Sequence, residues 1–360
     1  MQRRLHTTVQ LTTPAVGPAT VVGAMQRDQC IVVLDDWTNF WGKQPGVERL
    51  RERGEVIIHT TAAANDYEVM QRLQNATVAF ANRERSPLNA RVLRSAERLE
   101  LLAQSGRISP NVDADAATER GIALVAAGGQ VGSHVAIAEL GLALLLALAR
   151  QIPSNDRRVR DGDWAAPPTR MLCGQTLGIL GLGNIGGAMA RLGQALQMPV
   201  IAWGPTLTPE RAQASGVEYV ARDELFRRAD ALFVSTRLSD MTRGIIGAHE
   251  LGLMKPTSYL VNIARGPIVD QAALVHALQS GQIAGAGMDV YDLEPLPADH
   301  PLAKLDNVVL TPHIGWGVGE NFALMVQNLT TAVLKYLDGD MSGVVNPAAL
   351  ERRSAWVTKA

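Results

Sequence analysis

The stretch "LGILGLGNIGGAMARLGQAL", residues 177–196, constrains the chain more than any other. It reads as a strand, a glycine turn and an alanine-rich helix. Gly181, Gly183 and Gly186 stand at G-x-G-x-x-G spacing. The first glycine permits the tight turn, the second lets a ligand approach the backbone, and the third lets helix and strand pack closely. The helix N-terminus then offers free N–H groups and a favourable dipole to a pyrophosphate. Alone the pattern is weak; between a strand and a helix it is specific. Asn184 and Ile185, which open the helix, join the three glycines as candidate dinucleotide contacts. The rival reading is a glycine-rich turn that holds no ligand.

Such a unit leads to a second strand that usually ends in Asp or Glu, which holds a ribose of the dinucleotide. Here the strand, near Val200 to Trp203, runs into Gly204 and Pro205. Without the acid, selection for NAD is weaker and nothing repels the extra phosphate of NADP. Arg211 is within the next segment and is a candidate phosphate partner. The sequence leaves NAD against NADP open.

The rest of the chain alternates in the same way. "CIVVLDDW", "GEVIIHTT", "ATVAFANRE", "LELLAQSG" and "GIALVAA" are short apolar runs separated by helical patterns. A long apolar helix is expected from Ser133 to Arg150, followed by the turn-rich segment "PSNDRRVRDGDWAAPPTRMLCGQ", read as a connection or arm. A second alternating series then begins at the glycine turn. Strands alternating with helices give a parallel sheet covered on both faces, an α/β fold. Ligands of such sheets bind beyond the carboxyl ends of the strands. Four predicted strands of the second series end in polar groups: Thr236 and Arg237; Arg265 before Gly266; Asp289 with Glu294 five residues on; and His313.

Bulk properties exclude several classes. With 360 residues there is room for two domains. The net charge of −1 leaves no footprint for nucleic acid or an anionic membrane. The longest apolar run, Val135 to Ala149, is shorter than a membrane span and contains Glu139. Two separated cysteines, Cys30 and Cys173, suit a reduced cytoplasmic protein. The seven histidines show no metal-ligand spacing, so no metal is expected. Residues 1–24 lack the continuous apolar core of a signal peptide and are expected to be a flexible extension, with the folded part starting near Met25.

The motifs "GLGNIG", "VNIARGPIVD", "GMDVYDLEPLPADHPL" and "NVVLTPHIG" stand in one order and spacing. Together they resemble the D-isomer-specific 2-hydroxyacid dehydrogenase family, which includes phosphoglycerate, glyoxylate/hydroxypyruvate and D-lactate dehydrogenases. Weaker matches, "LELLAQSGRISPNVDADAATERGIALV", "AELGLALLLALAR" and "VVNP", extend the resemblance over most of the chain after residue 25. It implies a Rossmann-type doubly wound cofactor domain, residues 127–317, inserted in a flavodoxin-like substrate domain, residues 25–126 and 318–360, with a cleft between them. It implies hydride transfer between NAD or NADP and a small D-2-hydroxy or 2-keto acid.

Carried over, the resemblance makes Arg265 the arginine that grips the substrate carboxylate, His313 the acid/base and Glu294 its partner. Thr236, Ile263, Ala264, Arg265, Asp289, His313 and Gly315 are implied to line the cofactor. Ser105, Gly106 and Arg107 are implied to meet the substrate carboxylate through backbone N–H groups. Arg83 and Arg85 are weighed equally as cleft-facing or solvated. Trp316, where a smaller residue is common, is expected to narrow the substrate pocket. His6, His59, His134, His249, His276 and His300 lack a matching constellation. The chain ends soon after "VVNP", so the regulatory domain of many phosphoglycerate dehydrogenases is not expected. Two rivals share the fold. Transcriptional corepressors use it as a dinucleotide-sensing scaffold, but all three catalytic residue types are present here. Formate dehydrogenase expects Gln where Glu294 stands. The apolar helix after Ser133, with Trp164 in the arm beside it, has more apolar surface than one face can bury, which points to a homodimer.

Overall fold

The computed structural model describes residues 29–36, 39–82, 85–127, 133–165 and 167–357. The N-terminal extension, Met25 and Arg83 lie outside the described residues. Contacts along the chain divide it into two compact units, one built from residues up to 128 and from 326 onward, the other from residues 129–325. The later division falls at Val326, within a helix, and not at 318.

In the first unit the β-branched and apolar runs become strands β1 (Gln29–Val33), β2 (Gly54–Ile58), β3 (Val78–Ala81), β4 (Leu101–Ser105) and β5 (Ala123–Ala127). They pair in parallel in the order β2-β1-β3-β4-β5, the flavodoxin-like winding. Helices α1 (Pro45–Arg51), α2 (Asp66–Leu73), α3 (Ala90–Ser95) and α4 (Ala114–Glu119) connect them. Asn65, Asn89 and Asp113 cap α2, α3 and α4 by accepting a first-turn N–H. Val32, Leu34, Val69, Leu73, Leu102 and Leu124 fill the core on one face of the sheet.

The second unit opens with α5 (Ser133–Ala149) and α6 (Ile152–Arg160). The segment expected to be an irregular arm thus begins as a helix, α6; Pro153 in its first turn and its polar sequence hid it. The second strand series follows: β6 (Leu177–Leu180), α7 (Asn184–Ala195), β7 (Val200–Trp203), α8 (Pro209–Ala214), β8 (Glu218–Tyr219), α9 (Arg222–Arg228) and β9 (Ala231–Val234). It continues through α10 (Ala248–Leu253), β10 (Tyr259–Asn262), α11 (Gln271–Gln279), β11 (Gly285–Met288) and β12 (Val308–Leu310). The sheet order β12-β11-β10-β9-β6-β7-β8 reverses direction beside β6, and every pairing is parallel. This is the doubly wound Rossmann order with one added edge strand, and its switch point lies between β6 and β9. Glycines let α5 press close to this sheet. A Cβ on Gly141 would overlap the Phe233 ring, and one on Gly287 would come within 2.9 Å of Leu144 Cβ.

Helices α12 (Gly319–Leu337) and α13 (Ala348–Val357) end the chain. Between them "VVNP" returns to the first unit. Val344 bridges Val125 in antiparallel fashion, and Val345 N–H donates to Leu124 O. The Asn346 side chain accepts from Leu124 N–H at 2.7 Å and donates to Ile122 O at 3.0 Å.

Candidate active site

Gly181 follows β6 directly, with φ of +97°. A Cβ there would stand 2.7 Å from the Thr236 backbone, so glycine is required by both conformation and space. Gly186 is required by packing: a Cβ would strike the Gly181 carbonyl and lie 2.9 Å from Ser235 Oγ. Ser235 Oγ donates to that same carbonyl at 2.7 Å, tying the turn to the end of β9. Gly183 differs, because a Cβ there would meet nothing within 4 Å. Gly183 is the N-cap of α7 and supplies no side-chain cap, whereas an Asn or Asp side chain caps α2, α3, α4 and α11. The first-turn N–H groups of α7 therefore face open ground beside exposed Gly183 and Asn184, with Ile185 half-buried behind them. That cradle fits a pyrophosphate.

The β7 end tolerates more than it contains. A Cβ on Gly204 would make only ordinary contacts, 3.5 Å from Gly181 Cα and 3.7 Å from Leu207 Cβ. Arg211 folds back over this loop, its guanidinium donating to Thr206 O at 3.0 Å.

Beyond β10, Asn262 shapes the next turn. Its Oδ1 accepts from Ala264 N–H and its Nδ2 donates to Arg265 O. Ile263 and Ala264 are thereby buried, and half-buried Arg265 turns its guanidinium to the Ala264 carbonyl at 2.7 Å. Gly266 follows because the chain passes against the Tyr291–Asp292 peptide with no room for a Cβ.

Glu294 and His313 meet: Nδ1 of the ring lies 2.7 Å from Oε2 of the carboxylate. Oε1 accepts the Tyr291 N–H at 2.9 Å. Burial alone raises the Glu294 carboxyl. The hydrogen bonds from His313 and Tyr291, with the charges of His313 and Arg265, outweigh it and leave the carboxyl below its ordinary value. With Nδ1 engaged, Nε2 is the ring atom left to exchange a proton. His313 holds φ of +54°, the left-handed region that a non-glycine residue enters only when its surroundings impose it.

Asp289 is part of what imposes it. It is 1% exposed, and its carboxylate accepts from Thr311 Oγ1 at 2.6 Å, Ile314 N–H at 2.9 Å and Gly315 N–H at 2.9 Å. These bonds clamp the loop on both sides of His313. Burial raises the Asp289 carboxyl, and the three donors oppose that rise. Trp316 also serves the loop from within. Its ring packs on Phe322 at 4.5 Å between centroids and is 5% exposed, which differs from a residue presented to a pocket.

The polar residues of the first unit gather at the carboxyl end of its own sheet. Ser105 Oγ donates to Asn82 Oδ1 at 2.9 Å, and Ser86 Oγ donates to Asp35 Oδ1 at 2.9 Å. Gly106 takes φ of +87°, and its N–H donates to Ala127 O at 2.9 Å, continuing the β4–β5 ladder. That N–H is thus committed within the unit, unlike the carboxylate-facing group the resemblance implies. Arg107 is exposed, and Arg85 lies beside Asp35. Asp35, Asn82, Ser86 and Tyr291 were not singled out from sequence. Asp35 lies in "CIVVLDDW", Asn82 in "ATVAFANRE" and Tyr291 in "GMDVYDLEPLPADHPL", stretches read for their strands or motifs and not for these side chains.

Residues 142–315 match the NAD binding domain of the D-isomer specific 2-hydroxyacid dehydrogenases. A glyoxylate reductase of Korarchaeum cryptofilum is 34% identical over 302 residues, covering 82% of this chain and 90% of that protein. The chain belongs to the D-isomer-specific 2-hydroxyacid dehydrogenase family. A D-3-phosphoglycerate dehydrogenase of Archaeoglobus fulgidus is 41% identical over 238 residues, 66% of this chain and 45% of that one. The chain spans about half the length of such relatives, 57% for the Methanocaldococcus jannaschii enzyme. The crystal structure of a phosphoglycerate oxidoreductase from Vibrio cholerae superposes with a TM-score of 0.81 at 32% identity, covering 86% of this chain and 99% of that one. The dinucleotide of this family member is therefore a nicotinamide one, NAD or NADP, and the open ground before α7 fits its pyrophosphate.

Proposed function

We propose that this protein is an NAD(P)-dependent dehydrogenase that interconverts a small D-2-hydroxy acid and its 2-keto acid. The observation that carries the reading is the 2.7 Å His313–Glu294 pair, set in the domain that matches the family's NAD binding domain. Bound nicotinamide supplies or accepts the hydride at C2. Arg265 holds the substrate carboxylate in a two-pronged grip and polarises the neighbouring carbonyl. In reduction, Nε2 of His313 gives a proton to the oxygen formed at C2; in oxidation it takes that proton away. Glu294 keeps the ring oriented through its contact with Nδ1. Gly181, Gly183, Asn184, Ile185 and Gly186 hold the pyrophosphate, while Thr236, Ile263, Ala264 and Gly315 line the path toward the nicotinamide. Asp289 joins them by holding the backbone that carries His313 and Gly315. Ser105 and Arg107 of the first unit are assigned to the substrate carboxylate.

Organisation and state complete the reading. The substrate domain comprises the first unit and the cofactor domain the second, with the enzyme in the cytoplasm, where free Cys30 and Cys173 stay reduced. The active form is a homodimer. Ile152, Val159, Trp164 and Met171 are all exposed around α6, Trp164 at 87%, an apolar concentration that a second copy of the chain would cover.

A panel of 2-keto acids assayed with NADH and NADPH side by side tests the activity. His313→Ala should cut kcat by ~10²–10⁴-fold on the best substrate while dinucleotide binding persists. Near-normal turnover in that variant would sink the mechanism and favour a dinucleotide-sensing scaffold.

A further inference from the structure

Tyr291 sits among all three groups of the proposed chemistry without being one of them. Its N–H donates to Glu294 Oε1 at 2.9 Å. Its carbonyl lies against Gly266, so close that only glycine fits next to Arg265. Its hydroxyl lies 2.9 Å from Thr311 O and 3.0 Å from Met288 O. The Thr311 carbonyl also accepts the His313 N–H at 3.1 Å, in the turn that leads into left-handed His313.

We propose that Tyr291 is a positioning residue for the acid/base pair, its hydroxyl bracing the Thr311 carbonyl on which the His313 turn is built. This inference rests on the dehydrogenase reading above. The ring is 6% exposed, so the hydroxyl has little water to satisfy it and stays on those two carbonyls. Burial first, then the charge of Asp289, pushes the phenol above its ordinary value, so it remains a donor at any working pH. Asp289 grips the same loop from its other side through Ile314 and Gly315. Tyr291 holds the Thr311 carbonyl on the approach to His313, where Asp289 also holds the Thr311 hydroxyl, and Asp289 holds the exit.

Tyr291→Phe removes the hydroxyl and keeps the ring that fills the core. The variant should lose about tenfold in kcat, since a displaced acid/base group acts on the chemical step. The KM for NADH should stay unchanged. A looser loop weakens the pairing that holds the Glu294 carboxyl down, so the acid limb of the reduction profile should move to higher pH. His313→Ala is measured beside it. If His313→Ala abolishes turnover but Tyr291→Phe keeps the parent kcat and pH profile, the positioning role is overturned and the dehydrogenase reading stands. A fall in thermal stability and kcat with an unmoved pH profile also overturns it, because that marks a packing role only. If His313→Ala retains turnover, the reading itself fails and this inference goes with it.

Discussion

His313 concentrates the residue-scale argument, because one side chain combines a charged partner with an unfavourable backbone. The Glu294 carboxyl lies below its ordinary value, so its pairing is present above the usual carboxylate range and lost as pH falls through that depressed value. Glu294→Gln removes the negative partner. The acid limb that protonation of Glu294 gives the keto-acid reduction profile should be lost, and a profile identical to the parent's would show that the pair does not act in the reaction. Gly204 offers a separate test. A Cβ there has only ordinary neighbours, so Gly204→Asp should fold normally and place a carboxylate where a ribose-binding acid is usual. Comparison of the Kd values for NADH and NADPH should show selectivity moving toward NADH. An unchanged ratio would mean that the β7 loop does not meet the adenosine ribose.

At the scale of elements, α5 shows how packing reverses a propensity. Gly→Ala within a helix normally stabilises by about 1 kcal/mol. At Gly141 the added methyl would run into the ring of Phe233, itself 1% exposed and unable to swing away. Gly141→Ala should therefore destabilise by about 1–3 kcal/mol, measured by denaturant unfolding. A more stable variant would mean that α5 can lift from the sheet. The same contrast explains what was legible in the sequence. Buried parallel strands such as β6 and β9 announce themselves as apolar runs, and the glycine turn is explicit because both backbone and ligand geometry demand glycine. Strand β8 has two residues, both exposed, and so lacks any periodic signal. Helix α6 buries none of its residues, which leaves no apolar stripe to read. Arg265, Glu294 and His313 were readable as residue types at strand ends. Tyr291 was not, because its proposed work is done through a peptide N–H, a carbonyl and a hydroxyl set by tertiary contact.

At the scale of the whole molecule, the exposed apolar side chains of α6 and the segment after it bear on assembly. Ile152→Glu combined with Trp164→Glu should convert the proposed dimer to a monomer by light scattering at micromolar concentration. A parent protein that is already monomeric would remove the proposal. The "VVNP" return has a different consequence. Leu124 N–H and Ile122 O of the first unit find their partner in Asn346, 222 and 224 positions along the chain. β5 pairs with β4 along its length, and its outer edge gains these partners only after the second unit has been synthesised. The second unit, contiguous in sequence, can close as soon as it is made. The first unit is thus complete only once residues 344–346 have been made, whereas the second is one unbroken stretch of chain.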